Sequence, residues 1–129
     1  ALKQYLMEQL PDLPWVDLGP ANDDRVDYPD YANLVVDKMS EPDRMGVLIC
    51  GSGQGMAMRA NKFPHIRAAL CWNEELAELS RSHNNANILC MGARVMDHDL
   101  AVKVLKKFLD TTFEGGRHTG RVEKIGEPS

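Results

Sequence analysis

Cys50 stands directly before five residues that carry three glycines, Gly51-Ser52-Gly53-Gln54-Gly55. A thiol acts as a nucleophile or a base once ionised, and the N-terminus of a helix favours that ionisation. Glycines let backbone amides turn inward with no side chain in the way, so the loop reads as a cradle for an anion. A plain strand-to-helix turn needs one glycine rather than three in five. The loop lacks the Lys-Ser/Thr of a nucleotide P-loop and has GxGxG in place of the dinucleotide GxGxxG. Glu74, roughly 20 residues on, keeps a nucleotide-binding reading open. The plainer alternative for Cys50 is a buried core cysteine, the commoner state of a free thiol.

Two more groups could carry chemistry. His83-Asn84, in Arg81-Ser-His-Asn-Asn-Ala-Asn87, closes a helical stretch just before an apolar run. A histidine there is an acid or base, or only a favourable charge at a helix C-terminus. Arg117 and Arg121 are four apart, so in a helical tail they share a face and form a fork for phosphate. With Lys124 nearby the alternative is a solvated basic patch. His65 and His98 read as surface loop residues, and Cys71 and Cys90 as core.

The elements that must position these groups follow from periodicity. Leu2, Leu6 and Leu10 have helical spacing with no cap or strand before them, so the chain is expected to begin inside a helix and to lack an upstream segment. Pro11 and Pro14 end that helix, and Trp15–Leu18 is a short strand candidate closed by Gly19-Pro20. Residues 21–27 are polar and acidic, a surface loop. Tyr28-Pro29 opens a helix with Tyr31, Leu34, Val35 and Met39 on one face. After turn residues 41–44, Met45–Ile49 is an apolar strand leading into Cys50, and a helix follows the glycine loop as far as Asn61-Lys62. Ile66–Cys71 is the next strand. Asn73 caps a helix over Glu74–His83, with Glu74 and Glu75 in its first turn. Asn87–Met91 is a strand ending at Gly92, and Asp97 caps a helix through Thr111 whose stripe is Leu100, Val104, Leu105 and Phe108.

Strands alternate with helices, and each strand run is continuously apolar. That predicts a doubly wound α/β fold, one Rossmann-like parallel sheet with helices on both faces and a single domain over residues 1–129. Such sheets bind ligands beyond the carboxyl ends of their strands, where Cys50 and its loop fall. The 129 residues suit one domain with a real core, and 43% apolar with 26% charged residues is a globular composition. A net charge of −4 argues against nucleic acid as the main partner. No apolar run approaches the ~18 residues of a membrane span, and the first residues show no signal-peptide pattern. Three cysteines form neither a disulfide framework nor a metal-ligand spacing, so reduced thiols in the cytoplasm are expected.

Taken together, CGSGQGM…ANK, IRAAL, SRSHNNANIL, GARV and FEGGRHTGRVEKI, in that order, resemble the ribose-5-phosphate isomerase type B family, which also contains galactose- and allose-6-phosphate isomerases. The likeness runs from about Val26 to Ile125. It implies a metal-free, cofactor-free aldose–ketose isomerase of ribose 5-phosphate and ribulose 5-phosphate. By position, Cys50 would be the base at carbon 2, and Gly51, Ser52, Gly53, Gln54 and Gly55 would hold the cis-enediolate. His83 would be the acid that opens the sugar ring, Asn84 would bind the sugar, Arg117 and Arg121 the phosphate, and Tyr28 would line the pocket. The resemblance further implies a homodimer or homotetramer with shared active sites. Two departures stand out: family members usually begin with a strand carrying an Asp-His pair, which this chain lacks, and Ser52 stands where threonine is common. Alternatives are an isomerase of a 6-phosphohexose and a non-catalytic sugar-phosphate-binding module.

Overall fold

The computed structural model describes residues 2–19, 28–40 and 44–127. Three short apolar runs become three parallel strands, β1 (Gly46–Cys50), β2 (Ala68–Leu70) and β3 (Ile88–Gly92), in the spatial order β1-β3-β2. β3 is central and all five of its residues are buried. Its register sets Gly46 beside Ile88 and Cys50 beside Gly92 on one side, and Ala68 beside Ile88 on the other. Parallel neighbours need a crossover, and helices supply it on both faces.

The pleat sends alternate β3 residues to opposite sides. Leu89 and Met91 join a cluster with Leu6, Ala77, Val104, Leu105 and Phe108, contributed by α1 (Leu2–Gln9), α4 (Glu74–Ser82) and α5 (His98–Asp110). Ile88 and Cys90 join Leu48, Val36, Met56 and Ala60, the last three from α2 (Tyr28–Lys38) and α3 (Gln54–Ala60). The doubly wound expectation therefore holds, with a core on each face. Among the described residues no helix is long and apolar enough to cross a membrane.

Both predicted caps form. Asn73 accepts from the Leu76 amide at 2.8 Å and Asp97 from the Leu100 amide at 2.7 Å, each satisfying an orphan N–H of a first turn. Two local expectations fail. Trp15–Leu18 is not a strand: its indole N–H donates to the Leu10 carbonyl at 2.8 Å, and Asp17 accepts from the Gly19 amide and from Lys3. Those bonds tie the segment to α1 and to its own turn rather than to a strand. Leu34 is 45% exposed, because α2 buries Ala32 and Val36 instead. The second strand is also shorter than Ile66–Cys71. The loop expected over residues 21–27, most of the turn at 41–44 and the Tyr28 side chain lie outside the described residues.

Candidate active site in two halves

Cys50 is the last residue of β1 and half-buried. The Gly53 amide donates to its Sγ at 3.2 Å, so a backbone N–H faces the position where a thiolate's charge would sit. The Gln54 amide stands 3.4 Å from Ser52 Oγ, and α3 starts at Gln54 with Gly55 in its first turn. The loop is tied to the end of β3: Ala93 N–H donates to the Cys50 carbonyl at 2.8 Å and Arg94 N–H to the Gly51 carbonyl at 3.0 Å. Gly53 has φ +81°, and a Cβ there would fall 2.6 Å from Leu70 Cδ1 and 3.0 Å from the Met91 carbonyl carbon. Gly92 permits the same closeness from below, since a Cβ on it would lie 2.7 Å from the Ser52 carbonyl. The glycines thus seat the loop on the sheet and aim its amides. Arg94, to which the sequence reading gave no role, lays its guanidinium stem against Gly51, 3.4 Å from where a Cβ would be.

The other two thiols are of a different kind. Cys71 and Cys90 are 1% and 0% exposed. Burial pushes the Cys90 thiol up to about 12, with Cys50 and Cys71 adding to the effect. Burial also raises Cys71, against a weaker opposing effect of its hydrogen bond with Ser80 Oγ. Both lie in the core, as expected from sequence.

His83 is the C-cap of α4, and its amide donates to the Leu79 carbonyl at 3.0 Å. Asn85 then turns the chain with φ +49°, a left-handed conformation that asparagine tolerates. Two arginines clamp this turn. Arg81, 8% exposed, donates from Nε to the Thr111 carbonyl at 3.1 Å and from Nη1 to Asn85 Oδ1 at 3.2 Å and the Ala86 carbonyl. Arg67 Nε donates to the Asn85 carbonyl at 2.7 Å. Burial lowers the pKa of both guanidiniums. Asn84 is exposed, on the rim of a cleft of about 560 Å³ that Ile125 and Gly126 close.

The tail comes back to this turn. Glu114 N–H donates to the Ser82 carbonyl at 3.0 Å, and a 3-10 turn, Gly116–His118, leads straight into α6 (Thr119–Ile125). Arg117 and Arg121 lie in these consecutive turns, both exposed, so the tail that carries them is helical. His118 is buried and stacks on His83, with ring centroids 4.3 Å apart and planes 15° apart. Glu114 Oε1 is 3.9 Å from His118 Nε2. Burial first, then His83 and Arg117, hold the His118 imidazole below its ordinary value, against an opposing pull from Glu114. The donor atoms of His83, Glu114 and His118 lie within 4.8 Å of one another, but the nearly parallel rings do not aim their nitrogens at a common ion. Sequence reading assigned nothing to Glu114 or His118; the signal available was the i,i+4 spacing of an acid and a base beside Arg117.

The structure brings His83, Asn84, Arg117 and Arg121 together, and Cys50 with its loop together. It does not bring the two groups to each other. All three strands point the same way, and α4 returns the chain from the carboxyl end of β2 to the start of β3. His83 therefore lies at the amino ends of the strands and Cys50 at the carboxyl ends. At ~3.3 Å per residue β3 alone separates them by about 13 Å, with the body of the sheet in between.

The sequence profile described as Ribose/Galactose Isomerase matches residues 1–125. The chain belongs to that family. Ribose-5-phosphate isomerase B of Escherichia coli is 44% identical over 112 residues, covering 85% of this chain and 74% of that protein. The family fold is equally plain in solved structures. A ribose 5-phosphate isomerase from Thermotoga maritima superposes with a TM-score of 0.93 at 43% identity, covering 97% of this chain and 88% of the other. Ribose-5-phosphate isomerase B from Mycoplasma genitalium, solved with bound ribulose-5-phosphate, gives 0.90 at 43% identity, covering 96% and 85%.

Proposed function

We propose that this member of the ribose/galactose isomerase family interconverts D-ribose 5-phosphate and D-ribulose 5-phosphate. The observation that carries the reading is the Cys50 thiol set at the mouth of an amide-lined loop, in a chain whose relatives include an isomerase solved with ribulose-5-phosphate. A proton beside a carbonyl is weakly acidic, so the reaction needs a base, donors for the enediolate oxygen and an anchor remote from the reacting carbons.

In ring opening the carbon 1 hydroxyl gives its proton to solvent water, the carbonyl forms, the ring carbon–oxygen bond breaks and protonated His83 gives its proton to the departing ring oxygen. The Cys50 thiolate then takes the proton from carbon 2, and that electron pair forms the carbon 1–carbon 2 double bond while charge moves to oxygen 1. Amides of Gly51–Gly55 and the Ser52 hydroxyl meet that charge, as in an oxyanion hole. The carbon 2 hydroxyl gives up its proton to oxygen 1, a carbonyl forms at carbon 2, and the Cys50 thiol returns its proton to carbon 1. Arg117 and Arg121 hold the phosphate, Asn84 a sugar hydroxyl, and Tyr28 lines the pocket. Arg94 adds a cation beside Gly51.

Because both proton-transfer groups must reach one sugar, to within about 3 Å, the complete site takes two copies of the chain. One copy contributes the Cys50 end of its sheet and the other the His83 end. A two-fold dimer makes two such sites with every residue used once. Apolar Trp72 and Val95, 55% and 66% exposed, flank the thiol end, where such a partner would cover them. Three unpaired thiols favour a reducing compartment such as the cytoplasm.

The test is conversion of ribose 5-phosphate by the wild type and by Cys50→Ala in the presence of a chelator. Turnover should survive the chelator and vanish in the variant while sugar-phosphate binding remains. A Cys50→Ala variant with wild-type turnover would remove the thiol from the mechanism. Mixing Cys50→Ala with His83→Asn then tests the two-copy site. After subunit exchange about half the dimers are mixed and each has one intact site, so about a quarter of wild-type activity should appear. No recovery in exchanged subunits would place both groups in one chain's site.

A further inference from the structure

We propose that His118 is a positioning residue for ring opening: its buried imidazole, stacked on His83, fixes the plane of that acid and ties it to the arginines beside it. This role rests on the isomerase reading, in which His83 opens the sugar ring.

An acid that meets a ring oxygen needs a fixed direction and a free N–H. His83 is half-buried, and among the described residues its ring has no hydrogen-bond partner. What the ring does have is the face of His118, with centroids 4.3 Å apart and planes 15° apart. A hydrogen bond would orient the imidazole by occupying one of its nitrogens. Stacking orients it and leaves both nitrogens, which lie in the ring plane, open to a sugar.

His118 is itself held. It is 6% exposed, and its N–H donates to the Gly115 carbonyl at 3.0 Å. The segment that carries it is joined to the His83 turn by the Glu114 N–H to Ser82 carbonyl bond, also 3.0 Å. His118 directly follows Arg117 and stands three residues before Arg121, so the stack sets the acid against the groups that would hold the phosphate. Two protonated imidazoles in this contact would repel, with both arginines adding positive charge. Burial first, then His83 and Arg117, keep the His118 pKa low against Glu114, so at pH 7.5 it presents a neutral face to His83.

The test uses the difference between the two sugars. Ribulose 5-phosphate has its carbonyl at carbon 2 and its carbon 5 oxygen on phosphorus, so it cannot close a five-membered ring. It enters the reaction open, and the aldose it yields closes in solution. Ring opening is therefore needed only from ribose 5-phosphate. Initial rates at saturation are measured in both directions for the wild type, His83→Asn, His118→Leu, His118→Gln and His118→Phe. Leucine and glutamine both remove the ring, so either reads the stack if the other folds poorly; phenylalanine restores a flat face.

Loss of the stack should lower kcat from ribose 5-phosphate about ten- to a hundredfold and kcat from ribulose 5-phosphate far less. His118→Phe should recover most of the lost rate. Equal losses in both directions, no loss from ribose 5-phosphate, or a phenylalanine variant as slow as leucine each overturn the proposal. His83→Asn supplies the reference pattern. If it loses both directions alike, the ring-opening role of His83 fails and the role of His118 with it. A wild type that converts neither sugar refutes the isomerase reading itself.

Discussion

Gly92→Ala probes how the sheet holds the glycine loop. The new Cβ would fall 2.7 Å from the carbonyl carbon and oxygen of Ser52 and 2.8 Å from its Cα. Ordinary contact starts near 3.4 Å, so the two backbones must separate by about 0.7 Å. Gly92 ends the central strand, buried and in register with Cys50, so the strand has little freedom to yield. Its φ lies outside the left-handed region, so alanine adds no conformational strain of its own. The loop therefore moves, and with it the Gly53 amide that faces Cys50 Sγ at 3.2 Å. Overpacking of this kind costs about 1–3 kcal/mol of stability. A displacement approaching 1 Å at reacting groups costs up to about a hundredfold in rate, so kcat should fall roughly ten- to a hundredfold. The assay is ribose 5-phosphate turnover at saturation together with the urea midpoint. Gly120→Ala, where a Cβ meets nothing within 4 Å on α6, is the stability control and should gain about 0.5–1 kcal/mol. A Gly92→Ala protein that is destabilised yet retains wild-type kcat would refute the claim that this contact sets the loop's amides.

Three further outcomes can be checked. Arg81→Met strands the Thr111 and Ala86 carbonyls that the guanidinium satisfies, so it should lower stability by about 2–3 kcal/mol in urea and reduce kcat more than KM changes. His118 has a folded-state pKa depressed by burial, then by His83 and Arg117, below its ordinary 6.5. The unfolded chain therefore takes the proton first: stability intact above about pH 6.5 declines as pH falls through the folded value, and His118→Gln should flatten that slope of the urea midpoint. Iodoacetamide at pH 8 should label Cys50 alone in the folded protein and all three cysteines in urea, since Cys90 is raised to about 12 and Cys71 is raised by the same burial; rapid labelling of either core thiol in the folded state would contradict their burial, as read by mass spectrometry.

Much of the scaffold was legible because it rests on local chemistry. Asn73 and Asp97 act as caps through their own side chains and the next turn, so short windows of sequence contain the whole cause. The three strands were legible as apolar runs, and Cys71 and Cys90 as core. Trp15–Leu18 misled because its apolar residues imitate a strand while its partners are Lys3 in the preceding helix and Leu10 just past its end. Leu34 misled because helical phase alone does not say how wide the buried stripe is, and small Ala32 faces the core. Glu114 and His118 escaped notice because their meeting with His83 depends on the Ser82–Glu114 backbone bond, between residues 32 apart in the chain.

The division of the site into halves follows from chain order once the strands are known to be parallel. Any residue that directly follows a strand lies at the carboxyl end of the sheet, and any residue that closes a crossover helix lies at the opposite end. Cys50 and Gly51–Gly55 follow β1, whereas His83 and Asn84 close α4. Arg117 and Arg121 join the histidine end because Glu114 is bonded to Ser82 and because Gly126, past α6, packs on Pro64, just before β2. Motifs that the proposed mechanism uses together are thus separated by topology, and no rotation of side chains brings them together across a buried strand. A sugar phosphate that needs both ends can be served only where the carboxyl end of one sheet meets the amino end of another.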